Sequence, residues 1–192
     1  MDRVAIKAHA RKQISGKIFM LLAISIIVAI IGGILGLIPV VGWLALIVIE
    51  GPLMFAQAKI YLGIVDKNRT PKIEDIMEGV KSENFTRSFV GFLRYTVFTF
   101  LWGLLFWVPG IIKGISYSQM FYLMAEDKKL DAAAAQKKSM EIMEGHKWEY
   151  FVLGLSFILW YLLCGITFGL AAIYVVPYTE AAKAEFYRKL KK

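Results

Sequence analysis

The chain has 192 residues, 58% of them hydrophobic and 14% aromatic, with 23 Lys and Arg against 15 Asp and Glu, a formal charge of +8 and a mean hydropathy of +0.57. A soluble domain is roughly half apolar, so this composition excludes an ordinary water-soluble globule and points to a lipid-embedded chain. The sole cysteine, Cys164, excludes an internal disulfide and a thiolate metal cluster.

Five cations (Arg3, Lys7, Arg11, Lys12 and Lys17) precede the first apolar run. Ile18 to Ile49 then carries no charge, and about 20 apolar residues suffice to cross a hydrocarbon core roughly 30 Å thick. Gly32, Gly33, Gly36, Pro39 and Gly42 interrupt the run, which therefore reads as two helices joined by a short turn near Pro39 to Gly42. The apolar region runs past Pro39 without a small-residue cleavage site, so the first helix is expected to remain in the mature protein. The pattern recurs. Phe89 to Val108 and Pro109 to Ala125 form a second pair about Pro109-Gly110, and Tyr150 to Leu163 with Thr167 to Ala182 a third about Cys164-Gly165. The expected fold is an all-α membrane protein with six transmembrane helices as three parallel hairpin repeats, and cytoplasmic amphipathic helices between them. The repeats cover residues 1–66, 67–127 and 128–192 of a single polytopic domain.

The distribution of charge orients these spans. Lys and Arg gather before the first span, between the second and third, between the fourth and fifth, and after the last. The three tight turns on the other side hold none, with Lys113 the nearest approach. The positive-inside rule then places both termini in the cytoplasm. Attraction to anionic headgroups, about 1 kcal/mol per surface cation, accounts for the basic excess without a nucleic-acid partner. A membrane-protein partner or a homo-oligomer stays open.

The tetrapeptide Ile76-Met77-Glu78-Gly79 returns as Ile142-Met143-Glu144-Gly145, each followed six residues after its glycine by a phenylalanine, Phe85 or Phe151. Ile14-Ser15-Gly16 is a weaker copy. The even-numbered spans repeat as well, in Phe55-Ala56-Gln57-Ala58, Tyr117-Ser118-Gln119-Met120 and Tyr178-Thr179-Glu180-Ala181. Each unit thus reads as a cytoplasmic helix ending in glycine, a span out, a turn and a span back. Gly16, Gly79 and Gly145 are the elbows, because glycine takes a left-handed C-cap without steric cost. Thr70 is the candidate N-cap of the second cytoplasmic helix, with Pro71 at its first position and Ile73, Ile76, Met77 and Val80 as its apolar stripe. The third starts near Asp131, with Ala135, Ser139, Ile142 and Met143 as its stripe. Such stripes suit the headgroup layer or the flank of the spans.

The segments Leu105-Phe106-Trp107-Val108-Pro109-Gly110-Ile111, Tyr117-Ser118, Ser139 to Trp148, Leu155 to Trp160, Val176-Pro177-Tyr178 and Phe186-Tyr187 resemble a family of bacterial multi-pass membrane proteins catalogued as domain of unknown function 975. The first hairpin matches least well. A fainter similarity, to the membrane portion of glycerophosphodiester phosphodiesterases, implies a shared scaffold without shared chemistry. Neither resemblance implies an activity.

Polar residues inside spans cost roughly 2.5–3.5 kcal/mol for a central charge, so they usually face protein or water. Gln57, Gln119 and Glu180 hold equivalent places in the three repeats, and a pseudo-threefold bundle brings them together as a ring. Such a ring makes a hydrated passage or a polar-ligand site, or else simply hydrogen-bonds helix to helix. Glu50, beside Gly51-Pro52, marks a kink and is expected to pair with Lys113. Arg94 is expected to pair with Glu180 or snorkel, and Lys59 to snorkel. Gly32-x-x-x-Gly36 offers a close helix contact. Trp102, Trp107, Trp148 and Trp160 read as interfacial or packing aromatics. No catalytic, cofactor-binding or metal-binding motif stands out, so an enzyme is not expected. The leading expectation is a non-enzymatic scaffold or accessory protein, followed by a small transporter or channel using the polar ring, with a lipid-modifying enzyme last.

Overall fold

The computed structural model describes residues 2–105 and 107–191; Met1, Phe106 and Lys192 lie outside the described residues, as do the side chains of Leu105 and Trp107. Among the described residues every regular element is a helix. The first, α1 (Arg3–Ile14), begins at Asp2, whose carboxylate accepts from the amides of Val4 (2.9 Å) and Ala5 (3.4 Å). Its Ile6, Ala10 and Ile14 recur every four residues on one face and are completely buried, chiefly against the last helix of the chain. α1 thus lies along that helix with its apolar face covered.

Helices α2 (Ile18–Gly36) and α3 (Val41–Lys67) form the first hairpin. A Cβ on Gly42 would sit 1.8 Å from the Leu35 carbonyl oxygen, so the tight turn needs glycine there. α3 runs on through Pro52 and ends at Asn68, whose left-handed backbone (φ 49°) asparagine tolerates. Lys17, at the start of α2, donates to the side chain of Asn68 and ties the two ends of the hairpin together. A short 3-10 helix, Ile73–Glu78, follows. Thr70 and Pro71 precede it rather than open it. The Asp75 carboxylate accepts from the Lys72 amide (2.8 Å) and from Arg69 (2.6 Å), which holds Lys72 extended until the helix starts. Of the expected stripe only Ile76 is buried.

The second hairpin is α4 (Ser82–Leu105) against α5 (Trp107–Tyr117), with Gly110 packed backbone to backbone on Gly103. The returning arm is broken: α6 (Met120–Glu126) resumes after Ser118 and Gln119. α7 (Ala132–Ile142) starts at Asp131, which accepts from the Ala134 amide at 2.7 Å. It plugs the break. The Ser139 hydroxyl donates to the Ser116 carbonyl (2.7 Å) and accepts from the Gln119 amide (3.2 Å), so two backbone groups freed by the break find a buried partner. The third hairpin comprises α8 (Lys147–Leu155), α9 (Ile158–Ile166) and α10 (Ala172–Leu190). Its outward arm is interrupted at Ser156-Phe157, where the Lys7 ammonium donates to the Ser156 carbonyl at 2.8 Å.

By length and composition, three helical stretches can cross a membrane: Ile18–Gly36, Val41–Lys67 and the α8–α9 stretch Lys147–Ile166. The elbow glycines differ from one another. Gly16 (φ 77°) and Gly145 (φ 78°) adopt the left-handed conformation, whereas Gly79 does not (φ −74°). Gly79 is required for another reason, since a Cβ there would lie 1.8 Å from the Pro52 carbonyl oxygen where the 3-10 helix presses on α3.

The core lies at the end of the bundle that carries the termini and the connecting helices, here called the base. It is built from α1, residues 53–64 of α3, α6, α7 and residues 175–187 of α10. The hairpin tips are different. Leu37, Val40, Trp43, Phe100, Leu104, Ile166 and Phe168 are all exposed, and only 11% of each of the windows in Ile18–Gly36 and Lys147–Ile166 is buried within the chain, against 39% for Val41–Lys67.

Candidate functional site

The returning helices carry the polar side chains that meet inside the base. Gln57 of α3, Ser118 from the α5–α6 break, and Glu180 and Lys183 of α10 line one chamber of about 200 Å³. Tyr95 of α4, Tyr150 of α8 and the apolar Met54, Ala58 and Phe121 form further parts of its walls, with Tyr122. Space of this size holds several water molecules, since one needs only about 10–15 Å³ by the same kind of measure. Lys183 donates to Glu180 Oε1 at 2.6 Å, one helical turn away, so the two charges enter the chamber as a pair.

Two of the three ring residues named from the repeats, Gln57 and Glu180, therefore share the chamber. Gln119 does not line it. Completely buried behind Ser118, it donates from Nε2 to the Ser118 hydroxyl at 2.7 Å, while its Oε1 has no partner among the described residues. The break in the helix is the cause: Ser118 and Gln119 lie between α5 and α6, and the repeat position facing inward falls to the serine. Lys183 was missed, although a lysine three residues after a span glutamate is itself a pairing signal.

Glu50 and Lys113 do not pair. α4 packs on both α3 and α5 and stands between them. Lys113 instead lies over the Trp102 ring, 4.9 Å from its centroid. Glu50 is half-buried and has no ion pair among the described residues. Arg94 is equally far from its expected role: it donates to Gln136 Oε1 of α7 at 3.0 Å and covers the Phe98 ring. Lys59 pairs with Glu78 of the 3-10 helix rather than snorkelling freely, and Lys81 binds the other oxygen of the same carboxylate. Hydrogen bonds from these two lysines pull the Glu78 carboxyl down to about 2.

A second charged cluster closes the base. Arg188 of α10 donates to both Asp66 of α3 and Glu126 of α6, joining the ends of the three returning helices. Glu126 also accepts from Lys191 (2.6 Å) and from the Tyr187 hydroxyl. Burial alone would push the Glu126 carboxyl up; the hydrogen bonds from Lys191, Tyr187 and Arg188 outweigh it and hold it below its ordinary value. Burial and the bond to Glu126 raise Tyr187. Among the described residues no three His, Cys, Asp or Glu side chains converge as metal ligands.

The family model described as protein of unknown function (DUF975) matches residues 104–192, a little under half of the chain. The match takes in the α5–α6 break and the Glu180–Lys183 pair and leaves out the first hairpin. No curated protein and no solved structure matches the chain.

Proposed function

We propose that the chain is a six-span protein of the bacterial plasma membrane, three like-oriented hairpins with both termini cytoplasmic, and that it works as a small non-enzymatic carrier or channel. The observation that carries this reading is the polar chamber, in which Gln57, Ser118, Glu180 and Lys183 come from all three hairpins. Its lining includes a helix break. Irregular backbone at membrane depth is tolerated where it lines a cavity, and many carriers place their binding sites at such discontinuities. In this reading α5, the break and α6 are together the fourth span, because α5 alone, at about 1.5 Å per residue, is too short.

The test is flux of ions and small polar solutes through the purified protein in liposomes. Gln57→Leu and Glu180→Gln are expected to reduce it by about tenfold or more, the equivalent of roughly 1.4 kcal/mol; flux that is absent, or equal in wild type and both variants, refutes a transport role for the chamber. Topology is tested in a Cys164→Ser background with a membrane-impermeant thiol reagent applied to intact cells. Single cysteines at Val41 and Phe168 are expected to react, and those at Thr70 and Lys138 to stay protected. The reverse pattern would overturn the orientation.

A scaffold or accessory role is the second reading, and a different feature favours it. Gly32, Gly33 and Gly36 have open space where a Cβ would stand, so the small-residue face of α2 makes no close contact within the chain. In the membrane such faces admit a neighbouring helix closely. Crosslinking through α2 in native membranes should then recover a reproducible partner or a second copy. A chain found alone each time counts against it.

A further inference from the structure

The polar chamber does not end at its own walls. Tyr150 lines the chamber, a narrow pocket of about 60 Å³ beside it, and a groove of about 320 Å³ beyond that. Lys183 is shared by the first two, and Gly154 and Tyr161 by the last two, so the three spaces adjoin in series. Their character changes along the way. The groove runs between Ile111 and Ile115 of α5 and Phe151, Leu155 and Ile158 of α8 and α9. Ile111, Leu155 and Ile158 are about half exposed, so the groove opens on the outside of the bundle between the second and third hairpins. An ion pair, tyrosines and the Gln57 amide thus lie at one end of a row of adjoining spaces, and an apolar trough facing the surroundings at the other.

We propose that this composite site takes a membrane phospholipid with a small zwitterionic headgroup, entering sideways between α5 and α8, its headgroup at Glu180 and Lys183 and one acyl chain along the groove. The proposal rests on the reading of the chain as a membrane-embedded protein with a binding chamber, and it names the ligand class of that chamber. Size separates the two ends. Whole-ligand sites usually occupy roughly 300–1,000 Å³, so a chamber of about 200 Å³ suits a headgroup, and the chain attached to it must lie elsewhere. Charge selects the headgroup. Glu180 and Lys183 already neutralise each other, so a ligand of net charge would leave one charge uncompensated between half-buried side chains. A zwitterion does not: its phosphate is compensated by Lys183 and its ammonium by Glu180. The tyrosine hydroxyls and the Gln57 amide supply further donors.

The test uses the full chain in nanodiscs with phosphatidylethanolamine or phosphatidylglycerol carrying a photoreactive acyl chain, followed by peptide mapping of the crosslinks. Phosphatidylethanolamine is expected to label α5 and α8–α9 about tenfold more than phosphatidylglycerol does, and Glu180→Gln with Lys183→Met to erase that preference. Gly154→Trp is the second arm. Gly154 is exposed and nothing of the protein lies within 4 Å of where its Cβ would stand, so an indole there occupies the open groove where it meets the narrow pocket, without displacing backbone. It is expected to abolish the labelling at an unchanged melting temperature. Labelling that ignores the headgroup and survives Gly154→Trp is ordinary annular lipid and overturns the proposal; a preference for phosphatidylglycerol overturns the zwitterion assignment. Solute flux that depends on Gln57 and Glu180 but persists in Gly154→Trp, without specific lipid labelling, overturns the lipid ligand and leaves the chamber's polar role standing. If the chamber substitutions change neither flux nor labelling, the chamber reading itself fails.

Discussion

The two copies of Ile-Met-Glu-Gly require their glycine for different physical reasons, and a pair of substitutions at each separates them. At Gly79 the backbone is an ordinary right-handed one, but a Cβ would stand 1.8 Å from the Pro52 carbonyl oxygen and 2.5 Å from its carbon. Both are backbone atoms, so α3 or the 3-10 helix must move, and overpacking of this kind costs about 1–3 kcal/mol. At Gly145 there is open space, but φ is 78°. An L-residue there pays about 1–2 kcal/mol for the left-handed conformation, less for asparagine, which adopts it routinely. Thermal unfolding in detergent, followed by loss of the monodisperse peak, reads the difference at roughly 2–4 °C per kcal/mol for a chain of this length. Ala and Asn should both destabilise at Gly79, with Asn the worse because it is larger. At Gly145 Ala should destabilise and Asn largely restore the wild-type value. If Asn rescues position 79, or fails to improve on Ala at position 145, the assignment of these two causes is wrong.

Ser139→Ala leaves the Ser116 carbonyl and the Gln119 amide without their shared buried partner, and should cost about 1–3 kcal/mol of stability by the same assay, more than Ser118→Ala. Arg188→Met and Asp66→Asn should be strongly non-additive, with a coupling of about 0.5–3 kcal/mol in a double-mutant cycle, because both act on one network at the base. For pH, Glu78 is held at about 2 against an ordinary value of 4.5, so its stabilisation is fully present above about pH 4.5 and is lost as pH falls toward 2. In Glu78→Gln the acid sensitivity of the melting temperature between those limits should shrink; an unchanged acid limb would show that other carboxylates set it.

What was legible in the sequence had a local cause. Glycine and proline at the tips, the charge-free run from Ile18 to Ile49, and the Asp131 cap all act within a few residues of themselves, and the helices at those places follow. What was not legible depended on a distant partner. Nothing near Ser139 says that it will satisfy a break twenty residues away, and without the break the repeat alignment puts Gln119, not Ser118, at the chamber. The Glu50–Lys113 pairing failed for the same reason, since which helix stands between two others is a property of the packing. Ile6, Ala10 and Ile14 carry the spacing of a buried face, but that this face packs on α10, at the other end of the chain, is again a property of the packing.

The division between a packed base and exposed tips has a mechanical consequence. Above the base the arms of a hairpin meet at contacts such as Gly42 on Leu35 and Gly110 on Gly103, and in the proposed six-span arrangement the exposed tips would rest on the surrounding acyl chains. In that arrangement a change in bilayer thickness would be met by tilting of the hairpins, each pivoting where it enters the common floor that Asp66, Glu126 and Arg188 hold together. The gap between the second and third hairpins widens or narrows with that tilt, so the thickness of the host membrane sets how readily the groove is entered.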